Sequence, residues 1–234
     1  MTAEKIRSKL EELSDQDAAL FAQRFFKTGQ GQYGEGDLFR GIRVPVLRKL
    51  ASSFEETPQQ EVLELLHSPY HEDRLVALLL LMQRFSGAEQ VGREKIYELY
   101  LANTRFINNW DLVDISCPHI VGRFLFERPR SPLYTLAVSS DLWERRIAII
   151  STFYFIRQGE FDDTLAIAGE LLENREDLIH KAAGWMLREV GKRDMAAEER
   201  FLLQHYRRMP RTMLRYAIER FPEEKRLLFL RGEV

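Results

Sequence analysis

The sequence predicts an all-α protein, built as an α-solenoid of stacked helical-hairpin repeats. Apolar residues recur at helical spacing in almost every segment, and no segment shows the alternating pattern of a half-buried strand. Residues that cap or break helices separate these segments at short intervals. A further regularity, described below, gives the predicted helices a common repeat length.

Caps and breaks set the boundaries of the predicted helices. Thr57-Pro58 and Ser131-Pro132 have the composition of helix starts, whereas Gly159 lies where a helix should end. The predicted helices are residues 3–13, 15–26, 44–54, 58–67, 71–85, 87–103, 109–127, 131–139, 142–158, 160–173, 176–193, 196–208, 211–221 and 222–231.

A repeat becomes visible when the more apolar helices are aligned on small or β-branched central residues 34 to 36 positions apart. These residues are Ala77, Val113, Ala148, Ala183 and Ala217. The spacing is that of a helical-hairpin unit, which hides its apolar side only by stacking on its neighbours. We therefore expect one HEAT-like repeat domain over residues 1–234, with inner helices lining a concave face.

Residues 27–37 interrupt the helical pattern with a glycine-rich segment. Within it, residues 29–34 match the dinucleotide fingerprint G-x-G-x-x-G. The match is interpreted as accidental, because the segment follows a helix rather than a strand and Glu35 and Asp37 would repel phosphate. We predict a mobile loop that touches a ligand, if at all, through its backbone.

Composition is that of a soluble globular protein, with 45% hydrophobic and 30% charged residues among 234. The single cysteine, Cys117, excludes an internal disulfide and suits a reducing compartment. The first residues lack an apolar signal core, and the longest apolar run, residues 76–82, is too short to cross a bilayer. We expect a cytoplasmic protein without a membrane anchor.

Charge is distributed unevenly along the chain. The net charge is -2, but residues 181–234 carry +5 and residues 1–180 carry -7. A basic C-terminal part could bind phosphate, although solvated helix faces would give a similar count. The five histidines are dispersed, so neither a metal site nor a cofactor is predicted.

Asp114 is the most anomalous residue of the predicted helix 109–127. Asp111 is explained by the dipole of a first helical turn that follows an asparagine cap. Asp114 lies beyond that turn in apolar surroundings, where a charge needs a partner or a task. Pro118 removes the hydrogen bond to the Asp114 carbonyl, and the helix should therefore kink beside this carboxylate.

Further candidates lie on successive inner helices, and each has a structural interpretation. From the residues alone, Trp143 is predicted to be a core residue. Trp110 and Trp185 could equally well be core residues or exposed platforms for a ligand. Arg146 favours a structural ion pair with Asp114 across the repeat interface.

The functional interpretation brings two indole faces, a carboxylate and an arginine together in a groove. Indole faces attract cations, arginine grips phosphate in a fork, and a carboxylate stabilises positive charge or orients a water. An alkylated purine nucleotide, a cationic group on a phosphate backbone, has the matching chemistry.

At these residues the chain resembles the DNA alkylation repair family of AlkD type. Members are HEAT-like-repeat DNA glycosylases that hydrolyse the N-glycosidic bond of N3- and N7-alkylated purines. The resemblance covers roughly residues 15–221. It is carried by Trp110-Asp111-Leu112-Val113-Asp114 with Pro118, Asp141-Leu142-Trp143-Glu144-Arg145-Arg146-Ile147-Ala148, Lys181-Ala182-Ala183-Gly184-Trp185-Met186-Leu187-Arg188-Glu189, and the helix entry Gly41-Ile42-Arg43-Val44-Pro45.

The resemblance implies a role for each matching residue. Asp114 corresponds to the catalytic carboxylate, Trp110 and Trp185 to the aromatic pair that contacts the damaged nucleotide, and Arg146 to a phosphate-binding arginine. The other predicted DNA contacts are Arg188, Lys192, Arg43 and Arg145.

The implied protein is a monomeric 3-methyladenine/7-methylguanine glycosylase acting on double-stranded DNA, without metal or cofactor. Asn109, Arg43 and Val44 depart from the family pattern near the expected DNA edge, as does the Gly29–Gly36 insertion, so lesion preference stays open. The alternative is a non-catalytic HEAT-repeat scaffold that binds a DNA structure or a protein.

Overall fold

A computed structural model describes residues 2–234 and confirms the predicted all-α, helical-repeat fold. Over that range, one isolated bridge between Leu38 and Tyr70 is the only β-type pairing. None of the helices described there combines the length and apolar content that a bilayer crossing requires.

Short connections join the helices throughout. The α-helices are α1 (Ala3–Glu12), α2 (Gln16–Phe25), α3 (Val44–Ser53), α4 (Gln59–Leu66), α5 (His71–Gly87), α6 (Gln90–Ala102), α7 (Trp110–Cys117), α8 (Arg123–Leu125), α9 (Ser131–Ala137), α10 (Leu142–Ser151), α11 (Phe153–Arg157), α12 (Asp162–Glu170), α13 (Asp177–Gly191), α14 (Met195–His205), α15 (Arg211–Ala217) and α16 (Glu223–Arg231). Turns of 3₁₀ helix occupy Thr104–Phe106, Leu171–Glu173 and Ile218–Arg220.

Two predicted helices differ from the observed ones in an informative way. The predicted helix 109–127 accommodates its proline through a π-helical turn, Pro118–Gly122, between α7 and α8. The predicted helix 142–158 is divided at Thr152, whose hydroxyl donates to the Ile149 carbonyl at 2.7 Å. Such local bonds from threonine compete with the helical ladder.

The chain divides into two compact units, the first ending at Leu112 and the second spanning Val113–Val234. In the first unit, α5 is the central helix, and α1, α3, α4 and α6 pack against it. Its residues 75–81 are all buried. A single domain over residues 1–234 stays a prediction.

In the second unit, α13 is central and packs against α10, α12, α14 and α15. The small residues used to align the repeats, Ala148, Ala183 and Ala217, are fully buried at these helix contacts. Gly184 allows a close approach of α15, because a Cβ atom there would lie 2.4 Å from the Met213 carbonyl oxygen. Small central residues thus serve the stacking that the repeat predicted.

One type of hydrogen bond recurs at intervals of one or two repeat lengths and fixes the turn before a helix. A side chain in the first turn of the helix donates to the carbonyl six residues earlier. The three instances are Arg74 Nη1 to Ser68 at 3.1 Å, Arg145 Nη1 to Ser139 at 2.6 Å, and His180 Nε2 to Asn174 at 2.6 Å. The repeat inferred from small residues therefore also appears in polar contacts.

The glycine-rich segment 27–37 forms consecutive turns. Gly34 donates to the Lys27 carbonyl at 3.1 Å, and a Cβ atom on Gly34 would lie 2.5 Å from the Phe26 carbonyl oxygen. Gly31 donates to the Glu35 carboxylate at 2.8 Å. The backbone N–H groups of Gly31 and Gly34 thus donate within the segment, whereas a phosphate-binding loop would leave its N–H groups free for the ligand.

Candidate functional site

Trp110 begins α7, and Asp114 follows one turn later on the same helix. The boundary between the two units falls inside this helix, after Leu112. The surroundings of each residue are therefore described within its own unit.

In the second unit, Asp114 and Arg146 form a bidentate ion pair. Arg146 Nε lies 2.8 Å from Oδ1 and Nη2 lies 2.8 Å from Oδ2 of Asp114. The third nitrogen, Nη1, donates to the Leu178 carbonyl at 2.5 Å. The side chain of Arg146 is 6% exposed and that of Asp114 is 18% exposed. Each guanidinium nitrogen thus donates to the protein, while the carboxylate keeps an accessible edge.

The helix α10 that carries Arg146 is positioned by its own polar residues. Asp141 caps it by accepting from the backbone N–H groups of Trp143 and Glu144 at 2.7 and 3.1 Å. Arg145, a predicted DNA contact, uses Nη1 to hold the preceding turn. Trp143 is buried, in agreement with its core interpretation.

Trp185 on α13 is partly buried and held at two points. Its ring lies 5.7 Å from that of Phe153, and its Nε1 donates to Glu189 at 3.2 Å. Burial alone would raise the pKa of Glu189, but Lys192 and Arg193 lower it below its ordinary value. Glu189, which the sequence analysis did not assign, therefore orients the indole; its position four residues after Trp185 was the available signal.

The predicted DNA-binding residues Arg188 and Lys192 both have carboxylate partners. Arg188 pairs with Glu219, and Lys192 Nζ lies 2.5 Å from Glu189. The side chain of Lys192 is 41% exposed. Each pair has one exposed side chain, Lys192 in one and Glu219 at 50% in the other, so water screens both pairs in part.

Cys117, at the end of α7, is fully buried. Burial raises the pKa of its thiol well above the ordinary value, because the thiolate would be desolvated. A thiol in this state is not a nucleophile.

In the first unit, Trp110 belongs to a continuous aromatic stack. Its ring lies 5.3 Å from Phe26 at an interplanar angle of 22° and meets the edge of Phe25 at 6.0 Å. Phe26 in turn stacks on Phe39 and His71, each with ring centroids 5.0 Å away. The half-buried indole is therefore supported from below by packed rings.

His71 closes this stack and is held by two carboxylates. Its Nε2 lies 2.8 Å from Asp111, and its Nδ1 lies 3.7 Å from Asp37. Burial would lower the pKa of His71, but the two carboxylates outweigh it and raise the pKa to about 9. Asp111 thus has a specific partner in addition to its place in the first turn of α7.

The start of α5 contributes a buried polar network that the sequence analysis missed. Glu72 accepts from the backbone N–H groups of Arg40 at 2.9 Å and Gly41 at 2.8 Å. Asp73 accepts from Arg40 Nε at 2.8 Å, and Arg74 pairs with Asp37 at 2.8 Å. The run of charged residues 71–74 before an apolar stretch was the signal that could have revealed it.

Arg43, the remaining predicted DNA contact, is exposed immediately before α3. Gly41 two residues earlier has φ 79°, and a Cβ atom there would lie 2.2 Å from the Asp15 carbonyl oxygen, which explains the glycine of this helix entry. Arg43 also borders a cavity of about 210 Å³, and His71 and Asp111 are among the residues that line it.

Comparison with known proteins gives a consistent picture. A family model described as "DNA alkylation repair enzyme" matches residues 6–221. No curated protein matches the sequence. Among solved structures, a protein named as a predicted DNA alkylation repair enzyme from Enterococcus faecalis is similar, with a TM-score of 0.69 and 16% identity, covering 90% of this chain and 97% of that one. At that identity the structural likeness speaks for the fold alone.

Proposed function

The chain belongs to the family of DNA alkylation repair enzymes, and we propose that it is a DNA glycosylase that hydrolyses the N-glycosidic bond of N3- or N7-alkylated purines in duplex DNA. The observation that carries the proposal is the accessible carboxylate of Asp114, with both oxygens oriented by the buried guanidinium of Arg146. A carboxylate in this arrangement is pre-organised to stabilise positive charge.

The chemistry of the lesion suits a lone carboxylate. An N3- or N7-alkylated purine already carries a positive charge, so its departure needs little help from an acid. The developing charge then lies on the sugar, where Asp114 stabilises the oxocarbenium-like transition state and positions the attacking water. The proposed reaction needs no metal ion or cofactor.

Binding is assigned to the remaining predicted residues. Trp110 and Trp185 each present part of an indole, and such faces attract a cationic nucleotide. We propose that Arg43, Arg188 and Lys192 contact phosphates, together with Arg145 and Arg146. We propose that the protein acts as a monomer in the cytoplasm.

The alternative is a non-catalytic scaffold that binds a DNA structure or a protein. The observation that favours it is the closed Asp114–Arg146 pair, in which each nitrogen of the arginine already donates to the protein. In this interpretation the Asp114–Arg146 ion pair is structural and holds two neighbouring repeats together.

The test is incubation with a duplex that contains one 7-methylguanine, followed by detection of the free base. We expect release from this duplex and none from the unmodified one. Binding to both duplexes without release of the base would support the scaffold. If neither duplex shifts in a gel, DNA is excluded as the partner. The slope of affinity against salt should become shallower in Arg146→Ala if Arg146 contacts phosphate.

A further inference from the structure

Two phenylalanines on α2 are exposed although nothing in the proposed reaction uses them. Phe21 is 67% exposed and Phe25 is 55% exposed. Their rings lie 6.3 Å apart at an interplanar angle of 12° and form a stepped aromatic surface. Clustered exposed aromatic rings generally mark a binding surface.

This surface continues into the candidate site. The ring of Phe25 meets the ring of Trp110 edge-on at 6.0 Å. A ligand lying on Phe21 and Phe25 would therefore be next to the indole that is proposed to contact the damaged nucleotide.

Two cations lie near the two rings in sequence. Arg24 stands between them, Lys27 is the second residue after α2, and both are exposed. Asp17, one turn before Phe21, is the acidic exception. Aromatic rings interleaved with cations are the pattern by which proteins hold unpaired nucleotides, with stacking on the base and attraction of the phosphate.

The cavity bordered by Arg43 opens beside Phe21. Phe21, Phe26 and Phe39 contribute aromatic walls to its volume of about 210 Å³. Since a water molecule occupies about 30 Å³ in the liquid, this is the space of about seven waters and has room for a two-ring base. The carboxylates that reach it, Glu72 and Asp111, already accept hydrogen bonds.

We propose that the exposed face formed by Phe21 and Phe25, with the cavity beside it, binds an unpaired nucleobase of the DNA. Stacking supplies the interaction and Arg43 contacts the adjoining phosphate. Because stacking uses the flat face that every base has, the site tolerates different bases. The inference rests on the proposed function only in taking DNA as the partner, since no bond is cleaved at this surface.

The test uses two DNA duplexes, one with 2-aminopurine as a single-base bulge and one with 2-aminopurine paired. Aromatic stacking quenches the fluorescence of this base. The parent protein should bind the bulged duplex about tenfold more tightly and quench it, as expected for one stacked base. The double variant Phe21→Leu/Phe25→Leu, which keeps an apolar surface, should lose both effects, so that it binds bulged and paired duplex with equal affinity.

Two controls separate stacking from other uses of the surface. Leu203→Ala on α14 removes another half-exposed apolar side chain, 51% exposed, and should bind both duplexes like the parent. Equal affinity for bulged and paired duplex, or an unchanged preference in the double variant, would overturn the inference. A change in sedimentation of the double variant without any effect on DNA would assign the surface to self-association and overturn it too.

The two proposals fail in different ways. Quenching of the bulged base without release of 7-methylguanine would refute the glycosylase and leave this inference standing. Release of 7-methylguanine without preference for the bulge would refute this inference alone.

Discussion

The two units each contain a cluster of acidic and basic side chains, but only one cluster is accessible. In the first unit, Asp73 has a fully buried side chain and Glu72 is 3% exposed. In the second, the Asp114 side chain is 18% exposed beside an almost buried arginine. A closed cluster contributes mainly to the fold, whereas an open one is available to a ligand.

The clusters differ although the repeats supply the same local device. The Ser68 hydroxyl donates to Asp73 at 2.8 Å, and the Ser139 hydroxyl donates to Glu144 at 2.5 Å, in each case five residues on. Both contacts fix the turn before a helix, α5 in the first unit and α10 in the second. Repeated polar residues of this protein thus stabilise turns, and the exception, Asp114, is the candidate for chemistry.

The largest effect on stability is expected for Glu72→Ala in the closed cluster. The substitution removes the acceptor for the buried backbone N–H group of Arg40 and for the partly buried ones of Gly41 and Ile42. Leaving such donors unpaired should lower the free energy of unfolding by about 3–5 kcal/mol. Urea unfolding measures it, with the exposed Glu94→Ala as a control that changes stability by less than about 0.5 kcal/mol. A loss below about 1 kcal/mol would show that the network is not structural.

The second test of the closed cluster is the pH dependence of the free energy of unfolding. The pKa of His71 is raised from 6.5 to about 9 in the folded protein, so its stabilisation is complete below pH 6.5 and is lost as the pH rises to 9. The shift corresponds to roughly 3 kcal/mol. His71→Phe keeps the aromatic stack and should flatten the unfolding free energy between these pH values, whereas the exposed His119→Gln should keep the parent slope. Parallel curves for His71→Phe and the parent would contradict the assignment.

Arg146→Lys tests the open cluster through geometry rather than charge. Lysine keeps the positive charge but cannot hold both oxygens of Asp114 in a fork. Base release should slow about tenfold, or about 1.4 kcal/mol. Stability should fall by about 1–2 kcal/mol, because lysine cannot also donate to the Leu178 carbonyl. Single-turnover release measures it, and the exposed Arg215→Lys serves as the matched control. Loss of stability without loss of rate would place Arg146 with the structural contacts.

The smallest effect is expected for Glu189→Gln. The amide oxygen still accepts from Trp185, so the indole emission should not change. Lys192 and Arg193 lose their charged partner, and DNA binding should become two- to threefold tighter at low salt, about 0.5 kcal/mol. Fluorescence anisotropy at two salt concentrations measures this, and a shifted emission with unchanged affinity would contradict it.

Helices and repeat length could be predicted from the sequence because they depend on local pattern. The period of apolar residues located α5 and α13, and small central residues such as Ala183 gave the stacking interval. The proline-bearing helix was recognised as irregular at Pro118, although the π-helical turn that resolves it was not.

The polar partners could be predicted only in part. The Asp114–Arg146 pair followed from the repeat, since one interval separates the two residues. Arg74 and Asp37 are about as far apart in sequence, but Asp37 lies in an irregular loop, and only the bridge between Leu38 and Tyr70 places it. Contacts that depend on the path of a loop have no period to reveal them.

Release of 7-methylguanine under single-turnover conditions, compared between the parent protein and Asp114→Asn, is the most direct test. The exchange keeps the size of the side chain and removes its charge. We expect Asp114→Asn to release the base at least about 100-fold more slowly than the parent protein, as for the loss of one transition-state contact. Its affinity for the lesion duplex should stay within about twofold of the parent value. Release at the parent rate would show that Asp114 is not the catalytic group.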